Sequence, residues 1–193
     1  MPTKMRSKEE DVLKLFYNSG RHWHFEELLE KAGISRKQLL NWLNKFEEEG
    51  LIVKTKEEGK HPFYMHNFFD PGFQNRKRLY ALELLTKSGL VDHLSGLKGA
   101  KAVILFGSFS RADWYEDSDI DIFIYGDDGL FDKGLYERKL MKNIQVFTAK
   151  GYKDIERLDK MLPAIVSGDF LKGSFRDLGV NIDVKGKDIG RGS

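Results

Sequence analysis

The 193-residue chain contains no cysteine and only four prolines. The absence of cysteine excludes disulfide scaffolds, thiolate zinc sites and thiol nucleophiles. No apolar run approaches the roughly 18 to 20 residues that are needed to cross a bilayer. The first residues carry charges with no apolar stretch behind them, which is not the pattern of a signal peptide. We therefore expect a soluble cytoplasmic protein with no membrane partner.

The sequence also lacks an excess of charge of either sign. It has 32 Lys and Arg against 30 Asp and Glu, a formal net charge of +2. This balance does not demand a polyanionic partner, although it is compatible with a local basic patch. Hydrophobic residues make up 40% of the chain and include 14 Phe. That content is enough for a packed core and excludes wholesale disorder.

The first third of the chain has the pattern of three amphipathic helices and a β-hairpin. Apolar residues recur at helical spacing near 12–16, in 25–31 and again after Ser35, which stands at a favourable N-cap position. A strand at 51–56 and a second strand at 62–66 follow, separated by a turn. This order of helix, helix-turn-helix and hairpin resembles the winged-helix family.

The winged-helix resemblance implies DNA contact through the third helix. The residues it assigns to the major groove or its phosphates are Arg36, Lys37, Gln38, Asn41, Asn44 and Lys45. Acidic and basic residues balance in 1–70, however, and Glu47, Glu48 and Glu49 close the same helix. A protein-docking or dimerisation role therefore remains open beside DNA binding.

The second part of the chain predicts a mixed β-sheet with flanking helices. We place the boundary at residue 70, which gives a winged-helix domain at 1–70 and a second domain at 71–193 that opens with a linker helix at about 74–88. The linker helix has Leu79, Leu82, Leu84 and Leu85 as its apolar members. Strands are predicted at 102–106, at 119–125, at 143–148 and at 179–184, with a helix at 153–162. The predicted fold class is α+β.

Two short motifs in this second domain carry the chemistry. Gly107 and Ser108 directly follow the first buried strand, and Asp119 and Asp121 alternate with isoleucines on the next one. Because side chains alternate along a strand, both carboxylates project from one face. Two carboxylates together with substrate phosphate oxygens suit Mg²⁺. The glycine allows a close approach of a phosphate, to which Ser108 and Arg111 can donate.

This pairing resembles the DNA polymerase β-like nucleotidyltransferase superfamily over residues 105–124. The resemblance implies that Gly107 and Ser108 hold the phosphates of a nucleoside triphosphate such as ATP, and that Asp119 and Asp121 bind Mg²⁺. An acceptor hydroxyl then attacks the α-phosphate and pyrophosphate leaves. Arg111 matches a basic residue of the smaller members, although alanine stands at 112 where glycine is common.

One departure from the family pattern concerns a third carboxylate, which active members usually carry on a later strand. The predicted position holds Gln145, and an amide binds Mg²⁺ weakly and is no base. Asp183, on the last predicted strand, is an alternative ligand. The spacer residue Trp114 is a candidate for shielding the site or stacking on the base of a bound nucleotide.

Transfer of a nucleoside monophosphate to a hydroxyl is the leading interpretation of the sequence. Two alternatives remain: a nonenzymatic DNA-binding regulator whose transferase-like domain senses nucleotide or dimerises, and an antitoxin-like protein that modifies or masks a partner protein. The sequence leaves the acceptor, the base preference and the oligomeric state open, a homo-oligomer included.

Overall fold

The computed structural model describes residues 8–179, which form a three-stranded and a four-stranded sheet with helices around them. The strand predicted at 179–184, with Asp183, lies outside the described residues apart from Gly179. No helix in the described range is long and apolar enough to span a bilayer.

The N-terminal elements follow the predicted order. They are α1 (Lys8–Asn18), β1 (Trp23–His24), α2 (Phe25–Ala32), α3 (Arg36–Glu48), β2 (Ile52–Thr55) and β3 (Phe63–His66). Strand β3 lies between β1 and β2 and is antiparallel to both. The three helices and the hairpin are confirmed. The two-residue strand β1 is not among the predicted elements, because it is too short to show an alternating pattern.

Local capping fixes the turn between α2 and α3. Gly33 ends α2 in the left-handed conformation, with φ of 59°. Ser35 Oγ accepts a hydrogen bond from the backbone N–H of Gln38, while the Gln38 side chain accepts one from the Ser35 N–H. This reciprocal capping box satisfies two N–H groups at the start of α3 that the helix itself cannot pair.

Helix α4 (Pro71–Lys87) joins the two sheets. Its N-cap residue is Asp70, whose side chain accepts a hydrogen bond from the Phe73 N–H at 2.8 Å. Its buried side chains are Phe73, Lys77, Ala81 and Leu85. The sequence predicts that Leu79 is one of the apolar residues of this helix that pack inward. That prediction is wrong for Leu79, which is 66% exposed. The buried residues are spaced four apart, and Leu79 falls outside that face.

The second sheet follows α5 (Leu90–Ser95). Its elements are β4 (Ala100–Phe106), α6 (Gly107–Arg111), β5 (Ile120–Gly126), α7 (Lys133–Leu140), β6 (Ile144–Ala149), α8 (Tyr152–Arg157), α9 (Leu162–Val166), β7 (Asp169–Lys172) and a 3₁₀ turn at Phe175–Leu178. The strand order is β6-β5-β4-β7. Strands β5 and β6 are parallel and the other pairs antiparallel, so the sheet is mixed as predicted.

The segment that follows β6 differs from the prediction in two ways. The single helix expected at 153–162 is two short helices, α8 and α9, with Pro163 in the first turn of the second. Proline suits a helix start because it has no backbone N–H to pair. Strand β7 is an additional element, and its four residues, Asp-Phe-Leu-Lys, do not alternate in polarity.

Both faces of the second sheet are covered. Leu105, Ile120 and Ile122 belong to a core that continues through α4 into the N-terminal helices and includes Phe16. On the opposite face, Phe106 and other side chains pack against α8 and α9 in a second cluster. The described chain is therefore held together by a hydrophobic core common to its two sheets.

Candidate active site

The candidate site lies at one edge of the four-stranded sheet. Strand β4 ends there at Phe106, whose register partner on β5 is Asp121. The register partner of Asp121 on the other side is Gln145 of β6. Because β5, β6 and β7 all begin at the edge where β4 ends, the predicted motifs meet at this place.

Gly107, the first residue of α6, approaches the carboxylate of Asp121 closely. Its φ of 72° lies in the left-handed region that favours glycine. A Cβ at this position would also overlap the Oδ2 atom of Asp121. The glycine therefore brings the turn at the end of β4 into direct contact with the Asp121 carboxylate.

Asp119 and Asp121 flank the buried Ile120 at the start of β5, as the alternation predicts. Burial raises the pKa of Asp121 above its ordinary value, and the negative charge of Asp119 raises it further. The Arg111 guanidinium acts in the opposite direction. Two carboxylates held this close favour a cation between or beside them.

Gln145 lies beside the carboxylate pair, as the sequence predicts. Its side-chain Nε2 donates to Oδ2 of Asp119 at 2.5 Å. Within residues 8–179, no group of three or more His, Cys, Asp or Glu side chains is arranged to hold a metal ion. On β5 and β6, the side chains that meet at this edge are thus two carboxylates and one amide.

Arg111 ends α6 close to this pair. Its Nε atom contacts Oδ2 of Asp113 at 3.1 Å, in an ion pair between close neighbours in the sequence. This ion pair and phosphate binding are compatible, because the contact uses one edge of the guanidinium. Ala112, which follows, has a φ of 62°, the left-handed conformation for which glycine is better suited.

Trp114 does not stack on a bound base, and that hypothesis was wrong. The side chain is only 1% exposed. It packs between Phe109, with ring centroids 5.2 Å apart, and Tyr80, at 6.1 Å. The spacer between α6 and β5 folds inward against α4, so its tryptophan belongs to the core.

Two lysines near the site are not among the predicted residues. Lys142 donates to the backbone carbonyl oxygens of Tyr115 and Glu116, at 3.3 and 2.6 Å, and so fastens the spacer that leads to Asp119. Lys77 is fully buried, with Nζ 4.9 Å from the Trp114 ring centroid. No signal in the sequence marks either residue, because a lysine's burial depends on packing between distant segments.

The residues predicted to bind DNA have different surroundings in the structure. Arg36 makes two hydrogen bonds to Glu26, and Lys45 pairs with Glu9 at 2.8 Å. Gln38 takes part in the capping box described above, whereas Lys37 and Asn41 are exposed on α3. Two basic residues of the predicted DNA-binding face therefore already have acidic partners.

Comparison with known families identifies the region that contains the candidate site. Residues 88–166 match the family model of the nucleotidyltransferase domain. This range includes Gly107, Ser108, Asp119, Asp121 and Gln145. Neither the curated proteins nor the solved structures give a significant match. The family match supports nucleotidyl transfer in general and a nucleotide substrate.

Proposed function

We propose that the protein transfers a nucleoside monophosphate from a nucleoside triphosphate to an acceptor hydroxyl. The observation that carries this proposal is the close approach of Gly107 to Asp121. It joins a turn suited to phosphate and a pair of carboxylates at one sheet edge, inside the range that matches the nucleotidyltransferase domain.

The phosphate side of the proposed site is the turn at the end of β4. The Ser108 hydroxyl and the backbone N–H groups of the turn donate to phosphate oxygens. Arg111 adds a positive charge beside them, held in place by Asp113. These donors orient the triphosphate, and positioning is the main contribution that a protein makes to phosphoryl chemistry.

The carboxylate side of the proposed site fits Mg²⁺. Asp119 and Asp121 offer the hard oxygen ligands that this ion prefers, and substrate phosphates and water complete its usual shell. Mg²⁺, when bound, neutralises negative charge on the reacting phosphate. The raised pKa of Asp121 agrees with this, because a bound cation would stabilise the two negative charges.

Gln145 sets a limit on the proposed reaction. An amide does not take up a proton at neutral pH, so the side chain beside Asp119 cannot deprotonate the acceptor hydroxyl. General base catalysis typically contributes about 10²- to 10⁴-fold. We therefore expect transfer that is slow compared with that of a site carrying three carboxylates.

The test is a transfer assay with ATP, GTP, CTP and UTP labelled at the α-phosphate. Each is incubated with Mg²⁺ and with acceptors from three classes: RNA ends, proteins and small hydroxyl compounds. Label should move to one class with release of pyrophosphate, and Asp119→Asn/Asp121→Asn should abolish the movement. A folded wild-type protein that labels no acceptor and releases no pyrophosphate would count against the proposal.

For residues 1–70 we propose a winged-helix domain with DNA binding as a second candidate function. The polar surface of α3 favours it, since Lys37, Gln38, Asn41 and Asn44 are all exposed. The β2–β3 hairpin adds Lys54 and Lys56. The ion pairs of Arg36 and Lys45 weaken it, because they reduce the positive charge available to phosphates.

Fluorescence anisotropy with duplex DNA at 50 and 200 mM salt tests this second candidate. Binding through this face should fall steeply with salt and weaken in Lys37→Ala/Asn41→Ala. Lys98→Ala, an exposed lysine far along the chain, serves as the control. Equal affinity of both variants and wild type would leave protein docking, including the antitoxin-like alternative, as the role of this domain.

A further inference from the structure

A cavity of about 390 Å³ lies between α4 and α6, on the side of α6 towards β7. The polar side chains that line it are those of Gln74, Asn75, Arg78, Ser110, Arg111 and Ser167. No carboxylate is part of this lining. By contrast, four other cavities within residues 8–179 each include at least one glutamate. We call this cavity the α4–α6 cleft.

Two guanidinium groups supply N–H donors to the α4–α6 cleft, and each is paired with an aspartate along one edge. Arg78 pairs through one terminal nitrogen with Asp169 at the start of β7. Arg111 pairs through Nε with Asp113. Neither forms a second salt bridge within residues 8–179. Each fixed guanidinium therefore keeps N–H donors for a ligand. Several N–H donors in one plane match the oxygens of a phosphate group.

Neutral donors surround the two arginines. Asn75 is exposed on the same face of α4, one turn before Arg78. Gln74 donates one amide hydrogen to the Phe68 carbonyl at 2.7 Å, which orients the amide and leaves its second hydrogen available. The side chains that line the cleft would offer an anion hydrogen-bond donors, while the carboxylates of Asp113 and Asp169, which are not part of the lining, pair with the two guanidinium groups.

The α4–α6 cleft is adjacent to the candidate active site. Gly168 packs so closely on the end of β4 that a Cβ there would lie 2.5 Å from the Leu105 carbonyl oxygen and 2.9 Å from Phe106 Cβ. This contact sets Ser167 beside the strand that leads into Gly107. Arg111 lines the cleft and also lowers the pKa of Asp121. One guanidinium thus connects the two sites.

We propose that the α4–α6 cleft binds a phosphate group, with Arg78 as its principal new ligand. The proposal builds on the proposed transferase function and extends the site to residues 78 and 167, both outside the range that matches the nucleotidyltransferase domain. The phosphate comes either from the tail of the nucleoside triphosphate or from another ligand, such as a phosphate-bearing acceptor. The experiment separates these sources.

Isothermal titration calorimetry on the full chain provides the test. The ligands are metal-free tripolyphosphate, inorganic phosphate and Mg·ATP. The first variant is Arg78→Gln. Its matched control is Arg76→Gln, because Arg76 lies on the same helix with nearly the same exposure (45% against 46%) and also pairs with an acid, Glu49. Asn75→Asp is the second variant, since it places a carboxylate in the cleft and leaves the Arg78–Asp169 pair in place.

Arg78→Gln should weaken tripolyphosphate binding by about tenfold or more, the usual effect of losing a charged hydrogen bond, while Arg76→Gln should not. Asn75→Asp should weaken it too, because the new carboxylate repels the anion. A parallel loss for Mg·ATP assigns the cleft to the triphosphate tail. Unchanged Mg·ATP affinity assigns it to another phosphate-bearing ligand. The proposal is overturned if wild type binds neither inorganic probe, or if both cleft variants bind the probes as tightly as Arg76→Gln.

The inorganic probes also separate this proposal from the transferase function. They need neither a nucleotide nor the carboxylate pair, so Asp119→Asn/Asp121→Asn should still bind tripolyphosphate through the α4–α6 cleft. If that variant binds tripolyphosphate and wild type transfers no nucleotide, the cleft stands and the proposed reaction fails.

Discussion

At the scale of single residues, Gly107 is under two constraints that can be measured separately. Gly107→Ala introduces a methyl group into the Asp121 carboxylate and forces alanine to a φ of 72°. Gly59→Ala is the matched control, because Gly59 has a φ of 73° and an added methyl group there would meet no atom within 4 Å. The control should lose about 1–2 kcal/mol of unfolding free energy from the backbone alone.

Gly107→Ala should lose clearly more than Gly59→Ala in urea denaturation, since its strain includes the contact with Asp121. It should also lose its response to Mg·ATP, because the carboxylate must move to relieve the overlap. Equal destabilisation of the two variants would show that the Gly107–Asp121 contact does not constrain the site.

The charge of Asp121 should cost stability in the metal-free protein. Its pKa is raised above the ordinary value of 3.8 in the folded state. The folded protein therefore holds its proton more tightly than the unfolded chain, and stability is lost as pH rises from about 4 through the raised pKa. Asp121→Asn should remove this loss and be at least as stable as wild type near neutral pH.

Urea denaturation of wild type and Asp121→Asn across pH 4 to 7 measures the effect, with the exposed Asp159→Asn as control. The curves of wild type and Asp159→Asn should fall with pH relative to that of Asp121→Asn. Parallel curves for all three proteins would mean that the Asp121 carboxylate carries no electrostatic cost.

At Lys77 the stability of the protein changes with pH in the opposite direction from that at Asp121, and it does so at alkaline pH. Its ammonium is fully buried, with Nζ lacking a hydrogen-bond partner within residues 8–179. Burial lowers the pKa of Lys77 from 10.5 to about 8, against the attraction of Asp113. The cost of burying the charge is present in full below pH 8 and disappears as pH rises towards 10.5.

Wild type should therefore gain stability relative to Lys77→Met between about pH 8 and 10, by an amount of the order of 2 kcal/mol. Urea denaturation at stepped pH measures this gain, and Lys98→Met controls for the loss of an exposed lysine. If wild type and Lys77→Met keep a constant difference over this range, the Lys77 ammonium is not held at a lowered pKa.

At the scale of elements, the parallel pairing of β5 and β6 makes Gln145 the position where a third carboxylate would act. Gln145→Glu places a third negative charge beside Asp119. The variant should be less stable than wild type without metal, because like charges repel, and Mg²⁺ should restore it. Its transfer rate should rise by about tenfold or more if it supplies a base.

Thermal unfolding with and without Mg²⁺, followed by the transfer assay, checks the effect of Gln145→Glu. Thr148→Glu adds the same charge to an exposed position three residues along β6 and should show no response to Mg²⁺. An identical response of both variants would place Gln145 outside the metal environment.

The elements that the sequence predicted correctly are those fixed by local chemistry. Ser35 and Gly33 mark helix ends through hydrogen bonds and backbone conformations that involve only neighbouring residues. Strands β1 and β7 could not be predicted in this way, because strands of two and four residues are defined by the partner they pair with. The exposure of Leu79 likewise depends on which face of α4 meets the core.

At the scale of the whole molecule, the candidate site also combines features fixed by neighbouring residues with features that depend on distant segments. Gly107, Asp119 and Asp121 could be predicted because each motif occupies a few consecutive residues on a strand. The place of Arg78 beside α6 and the burial of Trp114 could not, since both depend on how α4 packs against segments that lie well beyond it in the sequence. The packing of α4 against these segments is visible only in three dimensions.

The N-terminal elements support the site through this packing. The backbone N–H of Glu116, in the spacer, donates to the Asn18 carbonyl at the end of α1 at 3.0 Å. Tyr17 of α1 packs on Tyr80 of α4, which in turn stacks on Trp114. The spacer that leads into Asp119 is thus held by residues that precede the nucleotidyltransferase match.

Thermal unfolding with and without ATP or GTP and Mg²⁺, on wild type and Asp119→Asn/Asp121→Asn, tests most directly whether the two carboxylates bind a nucleotide together with the metal. Each protein is compared with its own ligand-free control. Nucleotide at about 100 times its Kd should stabilise wild type by about 2.7 kcal/mol. We expect a shift that requires Mg²⁺ and is absent from the double variant. No shift of wild type with any nucleotide, or an equal shift of both proteins, would contradict it.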